Sequence, residues 1–520
     1  MLKRIVTIAL LAALAVAALT SCGGSTTKPA TPTGSLVTLV GDLPGPCDVV
    51  SFPFNITDLS LIGSSANGQT VAATTPINSA GAGTPEIRIN LGCLRDYTTV
   101  LNINTANVGT YNNAYMSLAE PSLTFYDPTI LPPNPPINTP QLTLTPLRLN
   151  LIPISPPLVV IKGQASVMQI DFDMLHMIQS ITTNLTTGKL MVSATPEVTL
   201  TPITAAGSQG QGFGVVDDLV GFVRSVTILP PGSTSIYNGS FALQLLSSSI
   251  SDAPQVTVNL SSTSQLYGFS QLNQLVTDSF MEVDAYIDVD GNFVATSVED
   301  EYVENPETNT LALIGPVTSL TRDSQGNVTS FNLWARDVEP NDASVVALDS
   351  IPVVNLSSST TYQYSSRSVN FANLPFGPGN ISVGQELVVH GEVTPPTGGS
   401  SPGAPILPTM VAADRVYTKL QSIQGGFSGL VQVGSDNKTG AFTFSPCPVM
   451  FQGTPTMVLT NNQTVFVNVS GLSGLSGQPS QPTLVVKGLP FYEGQAQTIN
   501  GVPVPAGTLV ILAKQVHQLG

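Results

Sequence analysis

The 520-residue chain is short of charge: only 10% of it is Asp, Glu, Lys or Arg, with 17 basic residues against 33 acidic ones, a net charge of −16. A surface of that sign repels phosphate backbones, which excludes nucleic acid as a partner. Histidine is equally scarce. His176, His390 and His517 stand in separate stretches, and no His-Glu-x-x-His occurs. The zinc-protease pattern is therefore missing. Gly426-Phe-Ser-Gly429 and Gly471-Leu-Ser-Gly474 come near a nucleophile elbow but read as turns. Gly210-Gln-Gly-Phe-Gly214 has neither the spacing nor the lysine of a phosphate loop and reads as a linker. One tryptophan, Trp334, cannot build a tryptophan-rich carbohydrate platform. Long helical periodicities are lacking too. What is abundant is glycine (45), proline (42) and apolar residues (42%), the composition of many short strands and turns. At this length several cores are expected, hence an all-β multidomain protein.

The N-terminus carries Lys3 and Arg4, an apolar run from Ile5 to Leu19, and then Leu19-Thr20-Ser21-Cys22. The run is too short for a comfortable membrane span. The pattern resembles a bacterial lipoprotein signal over residues 1–21, with Cys22 as the lipidated (palmitate-bearing) residue. The resemblance implies membrane attachment through that lipid. Gly23 in place of aspartate implies the outer membrane of a Gram-negative bacterium. Residues 22–45, rich in Gly, Ser, Thr and Pro, read as a flexible tether, with a short strand at Val37–Val40 as its one exception.

Residues 46–202 read as one domain of short, partly alternating strands interrupted by the Pro128–Pro140 run. In an oxidising compartment Cys47 and Cys93 are disulfide candidates within this domain, which leaves Cys447 over; all three as buried thiols is the alternative. Phe54-Asn-Ile-Thr-Asp-Leu-Ser-Leu61, Val108-Gly-Thr-Tyr111 with Ala114-Tyr-Met-Ser-Leu118, and Asp171-Phe-Asp173 resemble strands of the bacterial domain of unknown function 4382. That resemblance implies an immunoglobulin- or transthyretin-like sandwich in an envelope lipoprotein and carries no known activity.

Three units follow, at 215–305, 309–421 and 425–520. Each ends in a strand with Ala-x-x-Val: Ala295 and Val298, Ala413 and Val416, Ala513 and Val516. Each opens at a glycine, read as Gly221, Gly315 and Gly429, and has a middle strand with a polar tail. Five or six short strands in about ninety residues suit a small closed OB-like barrel. Val383-Gly-Gln-Glu-Leu-Val-Val-His-Gly391 with Ala413-Asp-Arg-Val416 resembles domain of unknown function 5666. Unit one departs, with Asp288-Val-Asp-Gly291 where the glycine is expected, and unit three carries Gly494–Pro505 as an insertion. The expected architecture is a sandwich followed by three tandem barrels strung behind it.

Few residues carry chemistry. Asp284, Asp288, Asp290 and Glu299 cluster as hard oxygen donors, a weak calcium candidate. The favoured reading of Asp290-Gly291 is a plain hairpin turn. Asp171 and Asp173 alternate on one strand face and could serve an envelope glycan hydrolase, though a structural role is favoured. Tyr111, Tyr115, Phe125 and Tyr126 could form a sugar-stacking face or, more ordinarily, core. No catalytic set emerges. The expected function is a non-catalytic, lipid-anchored binding or interaction module with an envelope protein or glycan as partner. A structural partner of an outer-membrane complex is the alternative.

Overall fold

The computed structural model describes residues 32–42, 48–64, 70–78, 87–93, 98–127, 129–130, 136–184, 186, 189–204, 213–230, 235–245, 255–303, 310–339, 345–364, 369, 371, 374–394, 408–451, 453–476 and 482–519. Residues 1–31 and 43–47 fall outside these, and with them the signal, Cys22 and Cys47.

The chain is all-β, as its composition implies. Strand Thr33–Asp42 lies in a stretch the composition assigns to the tether. It runs parallel to Ala165–Phe172 and antiparallel to Thr98–Asn107, inside a nine-stranded sheet. Its two faces explain its apolar run. Leu36 and Val40 point into the N-terminal core, while Val37 and Leu39 pack on the first barrel. A strand buried on both sides reads as continuously apolar, not alternating. The sheet curls until Thr70–Asn78 and Thr98–Asn107 lie against each other. Phe54 stands at the centre, edge-on to Phe172 at 5.1 Å and to Phe52 at 6.0 Å. Tyr111 is fully buried, its hydroxyl donating to Asn107 O at 2.7 Å, so it belongs to the core and not to a sugar-binding face.

Behind this domain stand three closed five-stranded barrels. Their strands are Gly214–Ile228, Gly239–Leu245, Gln255–Tyr267, Ser279–Ile287 and Phe293–Val303 in barrel 1. Barrel 2 has Thr310–Arg322, Val328–Leu333, Val353–Asn355, Glu386–Thr394 and Met410–Thr418. Barrel 3 has Gln421–Val433, Gly440–Pro446, Thr456–Thr460, Thr483–Glu493 and Thr508–Gln518. In each, the strands are joined in the order first, second, third, fifth, fourth and back to the first. The third and fifth strands run parallel. That is the OB-type Greek-key barrel.

The register explains the Ala-x-x-Val repeat. Two residues three apart on a regular strand face opposite ways, yet Ala295 and Val298, Ala413 and Val416, and Ala513 and Val516 all line barrel cores. A bulge in each fifth strand reconciles the two. Ala295 pairs with Ala285 and Ser297 with Asp284, which leaves Thr296 as the extra residue. Asp414 is the extra residue in barrel 2 and Lys514 in barrel 3. The alanine faces a glycine or alanine across the ladder: Ala285, Gly391, Gly488. Barrel 1 therefore holds Ala285 at the place of Gly391. Gly291 sits instead at the tip of the following hairpin, against Ala165 of the N-terminal domain.

A hydroxyl from the polar tail of the third strand caps each alanine carbonyl. Ser264 Oγ donates to Ala295 O at 2.6 Å, Thr360 Oγ1 to Ala413 O at 2.7 Å and Thr464 Oγ1 to Ala513 O at 2.9 Å. The same three oxygens each accept the N–H three residues earlier, of Ser261, Ser357 and Asn461, at 2.9 Å. Thr464 is 1% exposed. Thr464→Val keeps the shape and removes both bonds. It should lower barrel stability by about 1–3 kcal/mol, the cost of leaving buried backbone groups unsatisfied. A urea titration of the variant checks this, and a loss under about 0.5 kcal/mol would show the cap to be dispensable.

The barrels are packed together, not strung apart. Phe222 and Phe280 of barrel 1 meet Ala312, Ile314, Val388 and Tyr417 of barrel 2. Val369 and Phe371 of barrel 2 cover the outer face of barrel 3 at Leu459, Leu489 and Leu512. The hairpin Gln497–Ile499/Val502–Val504, inside the Gly494–Pro505 insertion, adds Ile499, Val502 and Val504 to that cluster. Lys514 of barrel 3 reaches Asp284 of barrel 1 at 2.8 Å. The N-terminal domain joins barrel 2 through the Arg88–Asp349 ion pair and through Arg336 Nε, which donates to Val50 O at 2.9 Å. Cys447 is disulfide-bonded, so it is not the cysteine left over. Cys47 lies outside the described residues, and of Cys93 only the backbone is described.

Candidate functional site

A polar cleft of about 220 Å³ opens where barrel 1 meets barrel 3. Its floor is the outer face of three neighbouring strands of barrel 1. The register places Gln265 beside Ser297 and Ser297 beside Asp284. The next row runs Tyr267, Glu299, Glu282. Between these outward positions lie Val298 and Val283, both fully buried in the barrel. Strand alternation thus builds a two-by-three polar grid on rigid backbone. Thr296, the bulged residue, stands at its edge, and Gln463 of barrel 3 completes the lining. Bulges re-aim side chains, and here two of them serve one place, Thr296 from barrel 1 and Lys514 from barrel 3.

Asp284 anchors the joint. Its Oδ2 accepts from Lys514 Nζ at 2.8 Å and from Ser297 Oγ at 3.1 Å, while Thr296 Oγ1 donates to its backbone O at 3.0 Å. Tyr267 donates its hydroxyl to Gln265 Oε1, which fixes the orientation of that amide. The cleft therefore holds oriented amides, hydroxyls and carboxylates, with one carboxylate balanced by a lysine.

The four calcium candidates are divided by the fold. Asp284 and Glu299 belong to the cleft floor. Asp288 belongs to the hairpin turn, where its Oδ1 accepts the N–H groups of Asp290 and Asn292 at 2.9 Å and its Oδ2 accepts the Tyr237 hydroxyl at 2.5 Å. Although burial alone would raise it, these bonds hold the Asp288 carboxyl below its ordinary range. Burial and the same carboxylate push the Tyr237 phenol up to about 12. Asp290 occupies the exposed turn beside it. Among the described residues no group of three or more His, Cys, Asp or Glu is placed to hold a metal ion. The Asp288 carboxyl has turn-forming partners in place of a cation, as Asx turns do.

The paired carboxylates Asp171 and Asp173 are engaged separately. Gln169 Nε2 donates to Asp171 at 2.7 Å, and burial raises that carboxyl. Asp173 caps the helical turn Met174–Met177 and pairs with His176 Nδ1 at 2.5 Å. The three histidines sit in three domains. His390, whose affinity for a proton is lowered mainly by burial, contacts the bulged Asp414 at 2.7 Å, and His517 lies beside Asn468. Of the cleft residues, sequence reasoning singled out only Asp284 and Glu299 as ligand candidates. Gln265, Tyr267 and Glu282 were legible only as alternate polar positions on strands, and Gln463 only as a polar turn residue. Neither a family model nor a curated protein matches this chain.

Proposed function

We propose that the protein is a lipid-anchored component of a Gram-negative cell envelope, held to the outer membrane through Cys22, and that its β-domains form a non-catalytic ligand-binding body. The Leu19-Thr20-Ser21-Cys22 pattern supports the anchor. The carrying observation for binding is the cleft, a polar floor on three strands of barrel 1 enclosed by a residue of barrel 3. Convergent polar groups in a preformed concavity are what ligand sites require. The carboxylates that could have served a hydrolase are held by Gln169 and His176 instead.

Two measurements test the reading. Cys22→Ser should move the protein from the membrane pellet to the soluble fraction, and a wild-type chain already soluble would sink the anchor. A low-molecular-weight envelope extract should raise the melting temperature of the wild type and not of Ser297→Phe, which fills the cleft. A ligand at a hundred times its Kd adds about 2.7 kcal/mol, a readable shift. An equal shift in both proteins, or none in either, would remove the cleft as the site.

A further inference from the structure

The chemistry of the cleft narrows its ligand, and this step rests on the reading that the cleft binds one. We infer that it takes a neutral sugar, a single pyranose ring of a glycan. Three observations on the lining carry the inference.

The first is its charge. Asp284 is balanced by Lys514 at 2.8 Å, so the end of the cleft near the joint is not an acidic trap. An anionic ligand meets the carboxylates of Glu282 and Glu299 on the floor. The second is the pairing of donors with acceptors. A sugar hydroxyl both donates and accepts, and the floor offers both. Tyr267 occupies Gln265 Oε1, which leaves the Gln265 amide nitrogen as a donor. Glu299 and Glu282 stand directly across the ladder from one another and accept. The Gln463 amide lies across from them on barrel 3. A simple amine could use only the acceptors. The third is size. About 220 Å³ falls below the ~300–1,000 Å³ of sites for drug-sized molecules, which suits one ring. Tyr267, half-buried at the end of its strand, supplies an aromatic surface beside the polar grid.

Saturation-transfer NMR on the whole chain tests this with cellobiose, maltose and N,N′-diacetylchitobiose as sugar probes and putrescine as a cationic probe. At least one sugar should receive saturation at its ring protons. Gln463→Ala and Tyr267→Ala should each weaken that signal tenfold or more. Gln463 is exposed and outside barrel 1, so its variant should melt with the wild type and separate binding from folding. Sugar signals that both variants leave unchanged would place the sugar elsewhere and overturn the inference. Putrescine binding that Gln463→Ala removes, without any sugar signal, would overturn the sugar and leave a ligand cleft standing. Silence from all four probes also overturns the sugar. The extract experiment on Ser297→Phe then decides separately whether the cleft binds anything.

Discussion

Glu386→Ala is expected to destabilise the protein by about 3–5 kcal/mol, the cost of removing one member of a buried ion pair. Glu386 Oε2 lies 2.8 Å from Arg336 Nη1, and the two side chains are 12% and 7% exposed. The pair stands at a junction where Asp48, Val49 and Tyr126 of the N-terminal domain meet barrel 2 and residues Gln421, Pro448 and Phe451 of barrel 3. Arg336 also holds the N-terminal domain through Val50 O. Without its carboxylate the guanidinium keeps its charge but loses the group that offsets its desolvation. Loss of the pair should therefore show twice: as a lower urea midpoint, and as faster proteolysis at the edge of the N-terminal domain. High salt should change little, because a buried pair is weakly screened. Arg336→Met combined with Glu386→Leu should recover most of the loss, since apolar replacements of buried pairs are commonly tolerated. A cost below about 1 kcal/mol for Glu386→Ala would show that water reaches the pair freely.

The class of fold was legible because period-two patterns, dense turns and a threefold repeat all pointed the same way. Where the reading fell short, a local signal depended on a distant partner. Val37–Val40 was visible as apolar, but the length of its strand is set by pairing with Ala165–Phe172, more than a hundred residues on. Ala-x-x-Val was visible as a string. Its odd spacing hid the bulge, which appears only once Ala295 is set opposite Ala285. The missing glycine of barrel 1 was sought at Gly291, because sequence alone does not say which residue faces Ala295. The cleft was harder still. Gln265, Glu282 and Glu299 come from three strands, and Gln463 from another barrel. The first three look like ordinary exposed positions on their own strands, and Gln463 like an ordinary turn residue. Acid clustering in sequence was a poor guide to proximity in space. Asp284 and Asp288 are four apart yet belong to a joint and a turn.

Gly315→Val should cost about 3 kcal/mol, the upper part of the range for forcing extra atoms into packed structure, while Gly429→Ala should change stability by less than about 0.5 kcal/mol. Both glycines open a repeat by sequence, but only one meets another backbone. A Cβ on Gly315 would stand 1.7 Å from Trp334 O, whereas one on Gly429 meets only Thr443 Oγ1, at 3.5 Å. The carbonyl of Trp334 cannot simply retreat. Trp334 N donates to Pro316 O at 3.0 Å and Arg336 N to Ile314 O at 2.9 Å, so the crossing strand is held on both sides of Gly315. The same approach recurs at Gly221, 2.2 Å from Gln244 O, and at Gly425, 2.3 Å from Ser445 O. Gly425 is therefore the true counterpart in barrel 3. In every barrel the first strand pairs with the second along one edge and with the fourth along the other. It must coil sharply to close so small a barrel, and glycine kinks supply that curvature. Urea unfolding of the two variants decides the matter. If Gly429→Ala proved as costly as Gly315→Val, closure would depend on strand propensity and not on this contact. If only Gly315→Val is costly, the glycine and the bulge four strands later are two halves of one device. The first bends the barrel shut, and the second turns Thr296, Asp414 and Lys514 outward, where in barrels 1 and 3 they meet at the cleft.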